Sequence, residues 1–155
     1  MRVLTWTTSG RAYAIDTGRI VEVVPVVDVR RMDHVEAWLR GLMNHRGRLI
    51  PLLDTKALLS GSTVELRRSS RIIVVQLDPD DRSSMCGLLV ESVRNVEEID
   101  FSDETTHPGL ANPETAYLGK IALVDDEAVQ VLEPEKILKP EQREVIFGRA
   151  RSVEA

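Results

Sequence analysis

The sequence predicts an all-β protein carrying only short helices. Val- and Ile-rich runs such as "IVEVVPVV" and "RIIVVQL" recur along the chain, and β-branched residues suit the pleated, half-buried surface of a strand. Gly, Asn, Asp and Ser punctuate these runs at short intervals, which is turn chemistry. Helical spacing is confined to brief stretches, and the runs amount to about ten strands. With 155 residues, 43% of them hydrophobic and 29% charged, the chain has room for one globular domain and not for a second full one.

The first element is a hairpin: "VLTW", then Thr7, Thr8, Ser9 and Gly10, then "AYAI", with Gly10 in the turn and Leu4 and Trp6 on one face. "IVEVVPVV" follows as a strand, and Pro25, which has no N–H to donate, marks its end or a sheet edge. Asp33 and Glu36 have the N-cap-to-N3 spacing of a capping box. Val35, Trp38, Leu39 and Leu42 recur at helical intervals and Gly41 offers a stop, which predicts a short helix there. "LMNH" and "RLIPLL" flank Arg46 and Gly47, which predicts two strands joined by a tight turn with Gly47 at positive φ. Asp54 then caps a second short helix, "TKALL", that stops at Gly61. In the second half "RIIVVQL", "MCGLLVESV", "KIALV" and "AVQVL" read as strands, the last two joined through Asp125, Asp126 and Glu127. Asp78 to Ser84 is a polar connection and Asp100 to Asn112 a longer one. "EPEKIL" and "PEQREVIFGRA" close the chain as one or two helices, and no repeat recurs at solenoid spacing.

The formal net charge of -5 argues against a nucleic-acid binder, because phosphate affinity comes mainly from clustered Lys and Arg. The densest basic run, Arg67 to Arg71, has no interleaved aromatic side chains to stack bases and reads as a solvated lead-in to a strand. The single cysteine, Cys86, has no partner for an internal disulfide; within "MCGLLV" it reads as a buried small hydrophobe in a reducing, cytoplasmic compartment. "MRVLTWTTSG" lacks the apolar core of a signal peptide, and no run reaches the ~18 apolar residues of a membrane helix. No direct membrane insertion is therefore expected, and any association goes through a partner.

Reactive groups are sparse. His34, His45 and His107 lack the i, i+4 or Cys-partnered spacing of a metal site and read as surface or structural histidines. "DPDD" at Asp78 lacks the glycine and distal glutamate of a calcium loop. There is no G-x-S-x-G elbow, no G-x-x-x-x-G-K and no G-x-G-x-x-G. The residues thus nominate no catalytic, metal or cofactor site, and only groups brought together from distant parts of the chain would supply one.

"GLMNHRGRLIPLLD" carries a resemblance. Gly41, Asn44, Arg46, Gly47, Pro51 and Asp54 match the core motif of the CheW-like chemotaxis adaptor family. "RAYAIDTGRIVEVV" resembles the family's opening segment, "CGLLVESVRNV" its Gly-X-X-Val-Asp-X-Val segment, and "AYLGKIALVDDEAVQVLEPEKIL" its closing hairpin and helix. His45 stands where Leu or Tyr is common, Glu91 where Asp is usual, and Thr55-Lys56 where Leu-Arg is frequent after the motif aspartate. The resemblance implies residues 1–138 as one CheW-like domain of two five-stranded SH3-like β-barrel subdomains, with 139–155 a partly helical tail that either docks or meets another protein. It also implies a non-enzymatic adaptor, without cofactor, whose partners are a CheA-like histidine kinase and the cytoplasmic tip of a methyl-accepting chemoreceptor. The rival expectation is a free-standing ligand-binding or enzymatic β-barrel domain, which requires a closed pocket with convergent polar groups.

An arginine beside a glycine turn in an apolar hairpin is costly to bury unless paired, and the "VEVV" strand supplies a carboxylate at Glu22. The expectation is a Glu22–Arg46 ion pair that orients the turn, with Asn44 and Gly47 fixing the local backbone; the alternative has Arg46 pointing into water. Val21, Val24, Leu42 and Met43, beside Gly41 and the two charges, are expected to receive the receptor, while the kinase meets strand edges elsewhere.

Overall fold

Two positive-φ residues, Ser9 at 53° and Gly10 at 74°, reverse the chain between strands β1 (Arg2–Thr8) and β2 (Arg11–Asp16). Such a two-residue turn matches the right-handed twist of paired strands, so the first hairpin forms as the sequence predicts. The computed structural model describes residues 1–26, 29–31, 35–100, 106–107 and 118–148. After the hairpin come β3 (Ile20–Pro25), β4 (Val29–Arg30), β5 (Leu39–His45), β6 (Arg48–Asp54) and helix α1 (Thr55–Ser60). The second half supplies β7 (Arg71–Gln76), β8 (Met85–Val90), β9 (Ser92–Glu98), β10 (Thr106–His107), β11 (Leu118–Val124), β12 (Glu127–Leu132) and helix α2 (Pro140–Arg143). No helix among the described residues is long and apolar enough to cross a membrane.

The strands form two sheets of six, in the orders β9-β1-β2-β12-β11-β10 and β3-β7-β8-β6-β5-β4. In these orders the two have the same pairing pattern: antiparallel at every step except the third, where β2 meets β12 and β6 meets β8 in parallel. β3 to β8 therefore make one unit, and β9 to β12 followed by β1 and β2 make a second copy of the same topology, permuted through the chain. Each unit has six strands where five-stranded barrels were expected, and among the described residues the end strands of neither sheet pair with each other. They are curled sheets rather than closed barrels. Glu22 on β3 and His45 on β5 have three strands between them in the order, which would hold them roughly 19 Å apart in a flat sheet. Their side chains nonetheless meet at 2.8 Å, so the sheet folds back on itself.

Apolar packing divides into three parts. Val3, Ala12, Ala14, Ile99, Ala122, Val129 and Val131 fill the first unit. Met43, Ile50, Leu52, Val64, Ile72, Val74 and Leu89 fill the second. The largest cluster is the seam between them, built on Trp6, Tyr13, Ile15, Leu53, Ile73, Val75, Cys86, Leu88 and Val90. Alternate residues of β7 thus face different cores, Ile72 and Val74 inward and Ile73 and Val75 toward the seam, which is why "RIIVV" is apolar throughout. Leu4 and Trp6 both face the seam, as their spacing predicts.

The helix expected across Asp33–Leu42 is corrected. Asp33 lies outside the described residues, Ala37 and Trp38 form a turn, and β5 begins at Leu39. Glu36 accepts from the Trp38 indole N–H at 2.6 Å instead of closing a capping box. The deciding pattern is the period of two over Leu39, Gly41, Met43 and His45, all buried; the helical spacing of Trp38, Leu39 and Leu42 comes from a turn running into a strand. "MCGLLVESV" is likewise two strands, broken at Glu91 where the chain crosses between the sheets. "EPEKIL" contains a single 3-10 turn, Pro134–Lys136. α1 stands as predicted: Asp54 caps it through Ala57 N–H at 3.0 Å, and Gly61, at φ 84°, ends it.

Candidate interaction site

The β5–β6 turn is Arg46-Gly47, at φ 51° and 84°, the two-residue form in which both central residues are left-handed. Glycine takes this conformation freely and arginine does not, so side-chain contacts must hold Arg46 in place. Asn44 Oδ1 accepts from Gly47 N–H at 2.8 Å and fixes the turn's second half. Glu22 holds the first: its Oε2 and Oε1 accept from Arg46 Nε at 3.2 Å and Nη2 at 3.3 Å, a two-pronged fork. The expected Glu22–Arg46 pair is present, with a third member. His45 Nε2 lies 2.8 Å from Glu22 Oε2, and its ring is 9% exposed against 32% for Glu22 and 76% for Arg46.

The alternation of β3 explains why Glu22 is there. Ile20, Glu22 and Val24 are half-buried on one face, while Val21, Val23 and Pro25 are exposed on the other. A carboxylate on the inward face needs partners, and the sheet's curl brings the β5–β6 turn across to supply them. The hydrogen bonds from Arg46, then from His45, hold the Glu22 carboxyl below its usual range, and Glu22 in return raises the Arg46 guanidinium. The pair is charged at neutral pH. Arg46 Nη1 has no partner among the described residues and faces solvent, so the site can offer a cation to another molecule.

The remaining expected residues divide. Val21 is exposed at 46% and stands beside Glu22. Leu42 is half-buried, and Val24 is half-buried against the core of the second unit. Met43 is corrected: it is 1% exposed inside that core and touches no partner from there. Gly41 serves packing, since a Cβ at its φ of 139° would lie 2.1 Å from the Arg30 carbonyl oxygen. Sequence reasoning did not place His45, Val23 or Leu49 with these residues. Val23, at 40% exposure, follows from Val21 by the period of two, and Leu49, at 62%, is the cross-strand neighbour of Asn44. His45 carried no spacing signal, because its partner comes from another strand.

Two duplicated β units joined by an apolar seam, with a charged turn beside an exposed valine strand, belong to the class of β-sheet binding modules. The CheW-like domain model matches residues 2–142, and the chain belongs to this family of chemosensory coupling and scaffold proteins. It is 32% identical over 85 residues to Protein PilI of Pseudomonas aeruginosa, a match covering 54% of this chain and 45% of that protein, so it spans under half of PilI. It is 26% identical over 114 residues to the chemotaxis protein CheW of Rhizobium meliloti, covering 73% and 71% of the two chains. The crystal structure of the scaffolding protein TtCheW from Thermoanaerobacter tengcongensis superposes with a TM-score of 0.76 at 24% identity, covering 89% and 87%, and shares the fold.

Proposed function

We propose that the chain is a non-enzymatic adaptor that couples the cytoplasmic tip of a methyl-accepting chemoreceptor to a CheA-type histidine kinase, acting in the cytoplasm at receptor arrays. The observation that carries this reading is the Glu22–His45–Arg46 cluster on the rim of an exposed apolar strand, a motif arginine held at the surface by a carboxylate with an imidazole beside it. An adaptor acts by placement. Holding kinase and receptor together raises their effective concentration, and a shift in one biases the other between states. Val21, Val23, Leu42 and Leu49 form the apolar part of the receptor surface, and Arg46, with Glu22 and Asn44 behind it, the polar rim. The kinase takes strand edges elsewhere.

The output is the open choice within this reading. CheW proteins named for chemotaxis stand beside a relative with a different name, which supports a chemosensory output other than flagellar chemotaxis, such as surface sensing, as the second reading. The test is titration of labelled protein with a receptor-tip fragment and, separately, with the kinase's regulatory domain. Arg46→Ala should weaken the receptor complex by about tenfold or more while the fold persists. Glu22→Arg should do the same, and the exchange Glu22→Arg with Arg46→Glu should recover part of the loss. Receptor-induced shifts that avoid residues 21–24 and 41–49, or binding unchanged by Arg46→Ala, would remove this site from the proposal.

A further inference from the structure

The segment after the last strand packs back on the molecule in an incomplete way. Arg143 on α2 and the π-helical turn that follows it, Glu144–Gly148, place Arg143, Ile146 and Phe147 three and four residues apart, and so on one side. Ile146 and Phe147 are half-buried against the seam, whereas Val145 between Arg143 and them points outward at 52% exposure. Arg143 reaches two anchors: Nη2 donates to Asp78 Oδ2 at 2.5 Å and Nη1 to the Glu135 carbonyl at 3.3 Å. Between this segment and the β7–β8 connection lies a cavity of about 150 Å³, with Asp78, Asp81, Ser83 and Ser84 on one wall and Arg143, Glu144 and Phe147 on the other. This cleft is open to solvent, so the side chains along it lack packed neighbours on one side and gain less dispersion energy than those in the closed seam.

We infer that residues 140–148 are a displaceable strap, latched by Arg143 on Asp78, which opens without unfolding either sheet and bares the end of the seam at Leu77 and Cys86. Three features set its hold below that of the core. Its two apolar anchors are only half-buried, its ion pair is partly solvated with side chains 27% and 39% exposed, and a solvent-open cleft runs beside its contact with the β7–β8 connection. Cys86 lies beneath it. Ser84, which lines the cleft, ends the 3-10 turn that leads into β8; Cys86 follows two residues later and is fully buried in the seam cluster against which Ile146 and Phe147 pack. Burial raises the thiol's pKa and the Arg143 charge pulls it back, as proximity of the latch requires. The closed strap gates this end of the seam: a partner presenting an apolar helical face with a cation one turn earlier would have to displace a segment with those same features.

The test uses the full chain and its single thiol as reporter. Cys86 is alkylated with iodoacetamide in native buffer and across low urea concentrations, in the wild type, Arg143→Ala, Asp78→Asn and Arg143→Lys. A strap predicts labelling about tenfold faster in Arg143→Ala and Asp78→Asn, partial restoration in Arg143→Lys, and acceleration by molar salt only in the wild type and Arg143→Lys, which keep the ion pair. The urea dependence of labelling should be much shallower than that of global unfolding, because opening the strap exposes little surface. Labelling that follows the full unfolding slope in every protein would overturn the inference and make residues 140–148 part of the cooperative core. Should Arg143→Ala fail to fold, Asp78→Asn and amide exchange at 140–148 decide in its place: exchange as slow as that of β7 and β8 counts against the strap.

Discussion

Replacing Asp54 by alanine removes a carboxylate that is wholly buried and satisfies three donors. Oδ1 accepts from Ala57 N–H at 3.0 Å and caps α1; Oδ2 accepts from Val64 N–H at 2.9 Å and lies 3.4 Å from Arg40 Nη1. Loss of an N-cap costs about 1 kcal/mol, and leaving the buried Val64 N–H unpaired costs about 2 kcal/mol more. The Arg40 contact is long, and its side chain is 24% exposed, so water takes over and little is added. The sum is about 3 kcal/mol, which for a chain of this size lowers Tm by roughly 6–12 °C. Asp54→Asn keeps one acceptor but turns an N–H₂ toward one of the two amides, and should lose about half as much. Urea denaturation with calorimetry measures both. A loss under about 0.5 kcal/mol for Asp54→Ala would refute the reasoning.

The other predictions concern the second unit. Gly41→Ala puts a Cβ into the Arg30 carbonyl at 2.1 Å, forcing β4 off β5, and should cost upward of about 2 kcal/mol by denaturation. Gly47→Ala, also at positive φ but with open space around the new methyl, should cost only about 1 kcal/mol. Equal costs would show that the backbone conformation, not the close approach, is what Gly41 serves. Because Glu22 has a lowered pKa in the folded state, it stabilises the protein above the ordinary carboxylate range, and that contribution vanishes as pH falls through the folded value. The stability gap between wild type and Glu22→Gln should therefore be constant near neutrality and close below that range; a gap independent of pH would separate Glu22 from its cations.

Much of this architecture is legible because it is local. The Ser9-Gly10 and Arg46-Gly47 turns, the Asp54 cap and the β-branched runs each declare themselves within a few residues. The Glu22–Arg46 pair was expected for a different reason: each group is costly to bury unpaired among apolar neighbours, and of the two it is Glu22, 32% exposed against 76% for Arg46, to which that cost applies. What stayed hidden is non-local. Met43 and Leu42 read alike until the register of β5 against β6 sends one into the core and leaves the other at the surface. The false helix at Asp33–Leu42 arose because three apolar residues spanning a turn mimic a 3.6 period. The duplication is invisible to any search for sequence repeats, since it resides in strand pairing and is permuted through the chain.

That duplication bears on how one small chain could serve two partners. In the second unit an acid on the edge strand, Glu22, grips a cation in the hairpin turn opposite, Arg46. The first unit repeats the arrangement with the signs exchanged: Arg94 on edge strand β9 pairs with Glu127, next to the Asp125-Asp126 turn that joins β11 to β12. Beside the first pair stand the exposed Val21, Val23 and Leu49, and in the other unit the exposed Val96 on β9, the counterpart of β3, and Leu123 on β11. Both units therefore close an edge with a side-chain ion pair at a left-handed turn and leave apolar residues nearby, but one rim is cationic and the other anionic. A surface that attracts an acidic rim repels a basic one by the same Coulomb term, so a partner suited to Arg46 is disfavoured at Asp125 and Asp126. An adaptor of the proposed kind, built from one repeated topology, needs some such asymmetry, because two equivalent faces would compete for the same ligand instead of bridging two different ones.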